Sequence, residues 1–148
     1  MNRASRRRTK PRTPTILEVR SAFLLIDQMF DELHKGEISV VSVDGAPEYA
    51  VFRDINDDLL PVAPSLDGWI GCWERLGQDM HFSIDQAPLR RLLTVLDTPD
   101  GILSTEELAA ATAVVNAQRR VYRTLDVYQI RATTNTERIK IALEAQAA

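Results

Sequence analysis

The sequence predicts an α+β fold in which about five helices pack on a small antiparallel hairpin or meander formed by residues 37–63. Apolar residues recur every three or four positions through most of the chain, which is the period of an amphipathic helix. Residues 38–43 are instead β-branched and partly alternating, and Asp44-Gly45 after them is a strong hairpin signal. With 148 residues, 45% of them apolar, the chain is long enough for one domain with its own core.

The first predicted helix begins at a capping box and ends at a glycine. Thr15 and Glu18 have the spacing at which each side chain can bond the backbone N–H of the other residue. Gly36 marks the end of the helix. The apolar stripe between them is wider than one packing seam, which is compatible with self-association. Its members are Ile16, Val19, Phe23, Ile26, Phe30 and Leu33, widened by Leu17, Leu24, Leu25 and Met29.

The predicted sheet combines a hairpin with a third segment. Tyr49 and Val51 belong to the return strand, and Asn56-Asp57-Asp58 makes a second turn. Residues 59–63 form a third strand only at an edge of the sheet, because Pro61 lacks a backbone N–H. The next helix is predicted roughly over residues 66–76.

The C-terminal half of the chain is predicted to be helical. Asp85 is expected to cap a third helix. A capping box at Ser104 and Glu107 opens the longest helix, which runs roughly over residues 105–131. Residues 133–136 are then expected to interrupt the chain before a last helix. The expected core comprises Val19, Phe23, Ile26, Phe30, Leu66, Trp69, Ile70, Trp73, Leu92, Leu93, Leu96, Val115, Tyr122 and Leu125.

The formal charge changes sign near residue 13. Residues 1–12 carry six cations and no acid, whereas the rest of the chain carries 12 bases and 21 acids, a formal charge of −9. A segment with almost no apolar residue cannot offset the entropy of ordering. We therefore expect residues 1–13 to be a flexible basic arm and residues 14–148 to be a single α+β domain. The candidate residues for contact with an anionic partner are Arg3, Arg6, Arg7, Arg8, Lys10 and Arg12.

The expected partner of this arm is nucleic acid or an acidic protein, since such cations bind phosphate without sequence preference. A merely solubilising tail is the alternative that the sequence leaves open. A second basic patch is predicted on the longest helix, where it forms either a contact surface or a solvated face. A candidate interface exists if a tryptophan is exposed, although such pairs more often belong to a core. The patch is Arg119, Arg120 and Arg123, and the candidate interface is Trp69, Trp73 and Phe82.

No motif indicates catalysis or a cofactor. His34, His81 and Cys72 are too few for a structural zinc site, and the glycines lack a phosphate-binding spacing. We therefore expect a non-enzymatic protein with no cofactor and no metal site. The single cysteine and the short apolar runs favour a cytoplasmic location without membrane association. A homo-oligomer remains open.

Two segments resemble small uncharacterised proteins of proteobacterial phages and prophages. They are Met1-Asn-Arg-Ala-Ser-Arg-Arg-Arg8, and Pro64 to Ile70 with Trp73. The resemblance implies a bacterial host cytoplasm and an accessory, regulatory or assembly role, and it transfers no functional residue. The predicted function is a non-enzymatic binding or accessory protein whose arm contacts an anionic partner. The alternative is an assembly or scaffold protein that acts through helix-mediated self-association.

Overall fold

The computed structural model describes residues 10–42, 44–45, 47–98 and 101–147. Within these ranges the chain forms five helices and a three-stranded antiparallel sheet, which confirms the predicted α+β fold. In chain order the elements are α1 (Ile16–Lys35), β1 (Ser39–Val41), β2 (Tyr49–Arg53), β3 (Leu59–Pro61), α2 (Val62–Met80), α3 (Ala87–Leu96), α4 (Thr105–Tyr122) and α5 (Val127–Ala147).

Helix α1 begins and ends at the predicted signals. Thr15 and Glu18 form both hydrogen bonds of the capping box. Gly36 adopts a left-handed conformation with φ of 68°, and its N–H bonds the carbonyls of the last turn. The inner face of the helix buries Val19, Phe23, Ile26, Met29 and Phe30.

The sheet has the order β1-β2-β3, so β3 and its Pro61 lie at an edge as predicted, whereas Val62 and Ala63, which were expected in this strand, belong to α2. The central strand pairs Ala50 with Val40 and Phe52 with Leu60. Phe52 is only 1% exposed because α1 and α2 both pack on β2. The sheet is therefore held by the helices, as a sheet of this size requires.

Helix α2 is longer at both ends than the predicted range 66–76. It begins directly after β3, where the hydroxyl of Ser65 donates to the carbonyl of Pro61 at 2.7 Å. It also continues through Gly77, which does not stop the helix. A Cβ at this position would lie 2.7 Å from the carbonyl oxygen of Phe82, so Gly77 permits the following loop to return against the helix.

The predicted interruption at residues 133–136 is wrong, because α5 runs through it. Threonines are weak helix formers when their hydroxyls compete for backbone groups. Here the hydroxyls of Thr134 and Thr136 donate to carbonyls four residues earlier in the same helix. The hydroxyl of Thr133 donates to Asp79 of α2 at 2.7 Å. Each hydroxyl thus has a partner that is compatible with the helix.

The chain breaks instead between α4 and α5, at residues 123–126. Leu125 is buried in the core, and the hydroxyl of Thr124 bonds the carbonyl of Val121. Asp126 and Val127 form hydrogen bonds with a residue from the other end of the chain, Arg12. Tertiary contacts with Arg12 thus accompany this break, and the local signal for it is Asp126, a residue type favoured directly before a helix.

The predicted core residues lie in the core or against it. Ten of the fourteen are buried, and Trp69, Leu93, Leu96 and Tyr122 are partly buried and pack against them. Two buried amides were not predicted. Gln118 accepts a hydrogen bond from Trp69 Nε1 at 2.7 Å and donates to Gln86 at 2.9 Å, and Gln86 donates to the carbonyl of Ile70 at 3.0 Å. This chain of hydrogen bonds links α2, α4 and the start of α3.

Candidate functional site

The N-terminal cationic segment is joined to the folded body at Arg12. The N–H of Arg12 donates to Oδ1 of Asp126 at 3.0 Å, and the N–H of Val127 donates to the carbonyl of Arg12 at 2.8 Å. The N–H of Val127 is at the start of α5, where backbone donors have no partner within their own helix. The hydrogen-bonded body therefore includes Arg12, next to the boundary at residue 13 that the sequence predicts for the arm.

The side chain of Arg12 is partly exposed and is bonded to the first turn of α1. Its guanidinium donates two hydrogen bonds to the carboxylate of Glu18, at 2.7 and 3.1 Å. The hydrogen bonds from Arg12 and from Thr15 lower the pKa of Glu18 to about 2, and the same contact with Glu18 raises the pKa of Arg12. A guanidinium nitrogen of Arg131 lies 3.5 Å from Oε2 of the same carboxylate. Glu18 is thus ionised and contacts two arginines.

Helices α1 and α4 lie side by side in opposite directions. His34, near the end of α1, contacts Thr112 in the first half of α4. Phe23, in the first half of α1, packs edge-on against Tyr122 at the end of α4, with ring centroids 5.5 Å apart. The start of α1, the end of α4 and the start of α5 therefore lie at the same end of the molecule.

We call this end, formed by residues 10–20 and 119–131, the basic end. It contains seven cations and two carboxylates, a formal charge of +5, although the whole chain has a formal charge of −3. The cations are Lys10, Arg12, Arg20, Arg119, Arg120, Arg123 and Arg131, and the carboxylates are Glu18 and Asp126. Folding thus brings Arg12 of the predicted arm to the same end of the molecule as the second predicted basic patch.

The structure divides the second basic patch into one paired and two available arginines. Arg119 forms two hydrogen bonds with the carboxylate of Asp27, and its guanidinium lies 4.6 Å from the centre of the Phe23 ring. Arg120 and Arg123 are exposed and form no ion pair with any residue in the described ranges. These two side chains are free to contact a partner.

The arm cations are placed only in part. Lys10 is exposed, whereas Arg3, Arg6, Arg7 and Arg8 lie outside the described residues.

The other end of α1 is acidic. The carboxylate of Glu32 accepts hydrogen bonds from the backbone N–H of Arg53 at 3.1 and 3.2 Å, which places the turn after β2 beside the last turn of α1. We call residues 31–37 and 53–58 the acidic end. They carry six carboxylates and two cations, a formal charge of −4. Residues 20 and 31 are eleven positions apart on α1, so about 16 Å of helix separates the two ends.

The candidate interface lies mostly inside the fold. Trp73 is 4% exposed and belongs to the core, and Trp69 is partly buried, with its indole N–H bonded to Gln118. Phe82 packs against Trp73 with ring centroids 6.0 Å apart. An interface at this point would require an exposed tryptophan beside Phe82. Trp73 is buried, so this requirement is not met.

In the described part of the chain, the side chains that could bind a metal do not lie close together. Within the described ranges, no three histidine, cysteine, aspartate or glutamate side chains are close enough together to hold a metal ion. Burial raises the pKa of Cys72, which disfavours the reactive thiolate. His81 caps the end of α2 with a left-handed φ of 60°. Among the same residues no helix is long and apolar enough to span a membrane.

Comparison of the chain with protein-family models, with curated proteins and with solved structures gives no match.

Proposed function

We propose that the protein is a non-enzymatic accessory protein that binds nucleic acid through its basic end and the cations that precede it. The supporting observation is the segregation of charge: one end carries seven cations against Glu18, Asp126 and the Asp27 that pairs with Arg119, with four further arginines before Lys10. Lysine and arginine side chains bind phosphates largely through the release of condensed counterions. Such a surface binds a polyanion without a motif that reads bases.

The kind of cation and the position of the acids are compatible with a phosphate backbone as the partner. Ten of the eleven cations at or before the basic end are arginines, whose planar guanidinium matches the phosphate group. A DNA duplex also repels the acidic end, which lies at the opposite end of α1 from the basic end. Attraction at one end and repulsion at the other favour an end-on orientation of the protein on DNA.

The cellular setting in this proposal is the cytoplasm of a bacterial host. The resemblance of residues 1–8 to phage and prophage proteins supports a phage-encoded origin. The single cysteine, Cys72, suits a reducing compartment. The bound nucleic acid is then phage or host DNA.

The test is salt-dependent binding of the full chain to a short DNA duplex of random sequence. We expect binding at low salt and a linear fall of log K with log salt concentration. Each phosphate contact contributes about −0.9 to the slope. Replacing Arg6, Arg7 and Arg8 with alanine should make the slope shallower by about 2–3 and weaken binding at every sequence.

A matched control removes the same charge elsewhere. Arg53, Arg75 and Arg91 are each more than a third exposed, lie outside the basic end and form surface ion pairs that add little to stability. Their joint replacement with alanine should leave the slope nearly unchanged. Equal losses in the two triple variants would contradict the proposal. Absence of binding at low salt, or equally tight binding to polyglutamate, would overturn the assignment to nucleic acid.

A second candidate function is assembly through self-association, because the solvent side of α1 carries apolar side chains. Leu17 is 72% exposed, and Leu24 and Leu25 are 40% and 42% exposed. Leu17, Ala22 and Tyr122 also line an open cavity of about 420 Å³. Sedimentation should then show a concentration-dependent dimer that is lost when the three leucines are replaced with glutamine. A monomer mass at all concentrations would exclude this function.

A further inference from the structure

We propose that α1 pairs with α1 of a second copy of the chain in an antiparallel dimer with two-fold symmetry, in which Arg20 of each copy contacts Asp31 of the other. The proposal rests on the second candidate function, self-association through α1, and deepens it. It adds the orientation of the two copies and the ion pair that selects this orientation. It does not depend on nucleic-acid binding.

The solvent face of α1 has the spacing of a seam between two helices. Positions 17, 21, 24, 28 and 31 follow one another at intervals of four and three residues, on the side of the helix opposite its buried face. Leu17 and Leu24 are exposed members of this stripe, and the exposed Leu25 flanks it. Ser21 is small and lets a second helix approach closely. Residues with this spacing can interdigitate with the same residues of a second helix.

The exposed leucines define the centre of the pair. Leu24 and Leu25 lie at the middle of α1, which runs from Ile16 to Lys35. A two-fold axis between them brings the leucine pairs of both copies together and overlaps the two helices along almost their whole length. In this register Ser21 of one copy faces Gln28 of the other, so a small side chain lies opposite a large one.

Arg20 is a cation without a partner in its own chain. It is exposed and forms no ion pair with any residue that the structure describes. In the antiparallel pair it faces position 29 of the other copy, midway between Asp27 and Asp31 and about 3 Å along the helix axis from each. All three residues lie on the same flank of the stripe, and two-fold symmetry brings like flanks together.

Asp31 is the acceptor that remains available to this arginine. Both carboxylate oxygens of Asp27 are already bonded to Arg119. Asp31 instead uses only Oδ2, in a surface ion pair with Lys35. Its Oδ1 can therefore accept a hydrogen bond from a second cation.

The charge of the two ends favours the antiparallel orientation. The basic end has a formal charge of +5 and the acidic end a formal charge of −4. An antiparallel pair places the basic end of each copy beside the acidic end of the other, which is complementary. A parallel pair would place Arg20 beside Arg20 and Asp31 beside Asp31, so like charges would repel.

Charge reversal tests the orientation, with sedimentation of the full chain at low salt as the measurement. Arg20→Glu and Asp31→Arg each bring like charges together at two symmetric contacts. We expect each variant to raise the Kd of the dimer by about tenfold. The double variant that carries Arg20→Glu and Asp31→Arg restores opposite charges in the antiparallel pair, so its Kd should return to within about threefold of that of the natural chain.

Arg138→Glu is the matched control. Arg138 is exposed on α5 and also forms no ion pair within the described ranges, so its reversal should leave the Kd of the dimer unchanged. If the double variant dimerises no better than the single variants, the antiparallel pair is overturned, and self-association through the leucines stands. If the natural chain is a monomer at all concentrations, self-association and this inference fail together, and the proposal of nucleic-acid binding is unaffected.

Discussion

Glu18 takes part in three separate interactions at the basic end. It completes the capping box of α1 with Thr15, accepts two hydrogen bonds from Arg12 and lies beside Arg131. Sequence reasoning predicts the capping role, because its partner is three residues away. The spacing gives no sign of the contact with Arg12, which depends on the path of the chain before the helix.

The lowered pKa of Glu18 predicts a pH-dependent stability. The pKa is 4.5 when unperturbed and about 2 in the folded protein. The ionised carboxylate therefore contributes stability that is complete above pH 4.5 and is lost as the pH falls towards 2. We expect Glu18→Gln, which keeps the capping geometry, to have a lower Tm than the natural chain at pH 7. Thermal unfolding from pH 7 to pH 2 should show this gap closing below pH 4.5, and a gap of constant size would contradict the assignment.

The helices show where local sequence signals are sufficient and where they are not. The start of α4 follows its predicted capping box, since Ser104 and Glu107 form both of its hydrogen bonds. The end of α4 and the start of α5 were predicted wrongly. That boundary depends on Arg12, which is 114 positions from Asp126 in the sequence. A contact of this range leaves no periodic pattern from which to predict it.

A buried amide on α4 is bonded to α2 and to the start of α3. Gln118 is fully buried and bonds both Trp69 and Gln86. Its replacement with alanine leaves the indole N–H of Trp69 and Oε1 of Gln86 without this partner and opens a cavity. We expect Gln118→Ala to lower the free energy of unfolding by about 2–4 kcal/mol, measured by urea denaturation. Gln129→Ala, at an exposed position of α5, should change it by less than about 0.5 kcal/mol, and equal effects would contradict the role of the buried amide.

On the scale of the whole molecule, the sign of the charge changes along α1, from basic near its start to acidic near its end. The sequence predicts that residues 1–12 are basic and that the remainder is acidic. It does not predict that the cations of α4 and α5 lie at the same end of the molecule as Arg12. It also does not predict that Glu32 and the turn at residues 53–58 lie at the opposite end. The sequence determines which residues are charged. The antiparallel packing of α1 and α4 places the basic end of α4 beside the start of α1, away from the carboxylates at the end of α1.

The basic end is the proposed contact with nucleic acid, and its location on the fold can be measured directly. Amide hydrogen exchange of the full chain, with and without a random DNA duplex at low salt, reports which segments the DNA covers. We predict slower exchange for residues 10–20 and 119–131 and no change for residues 31–37 and 53–58. Protection confined to the acidic end, or no protection at the basic end under conditions where DNA is bound, would contradict the account.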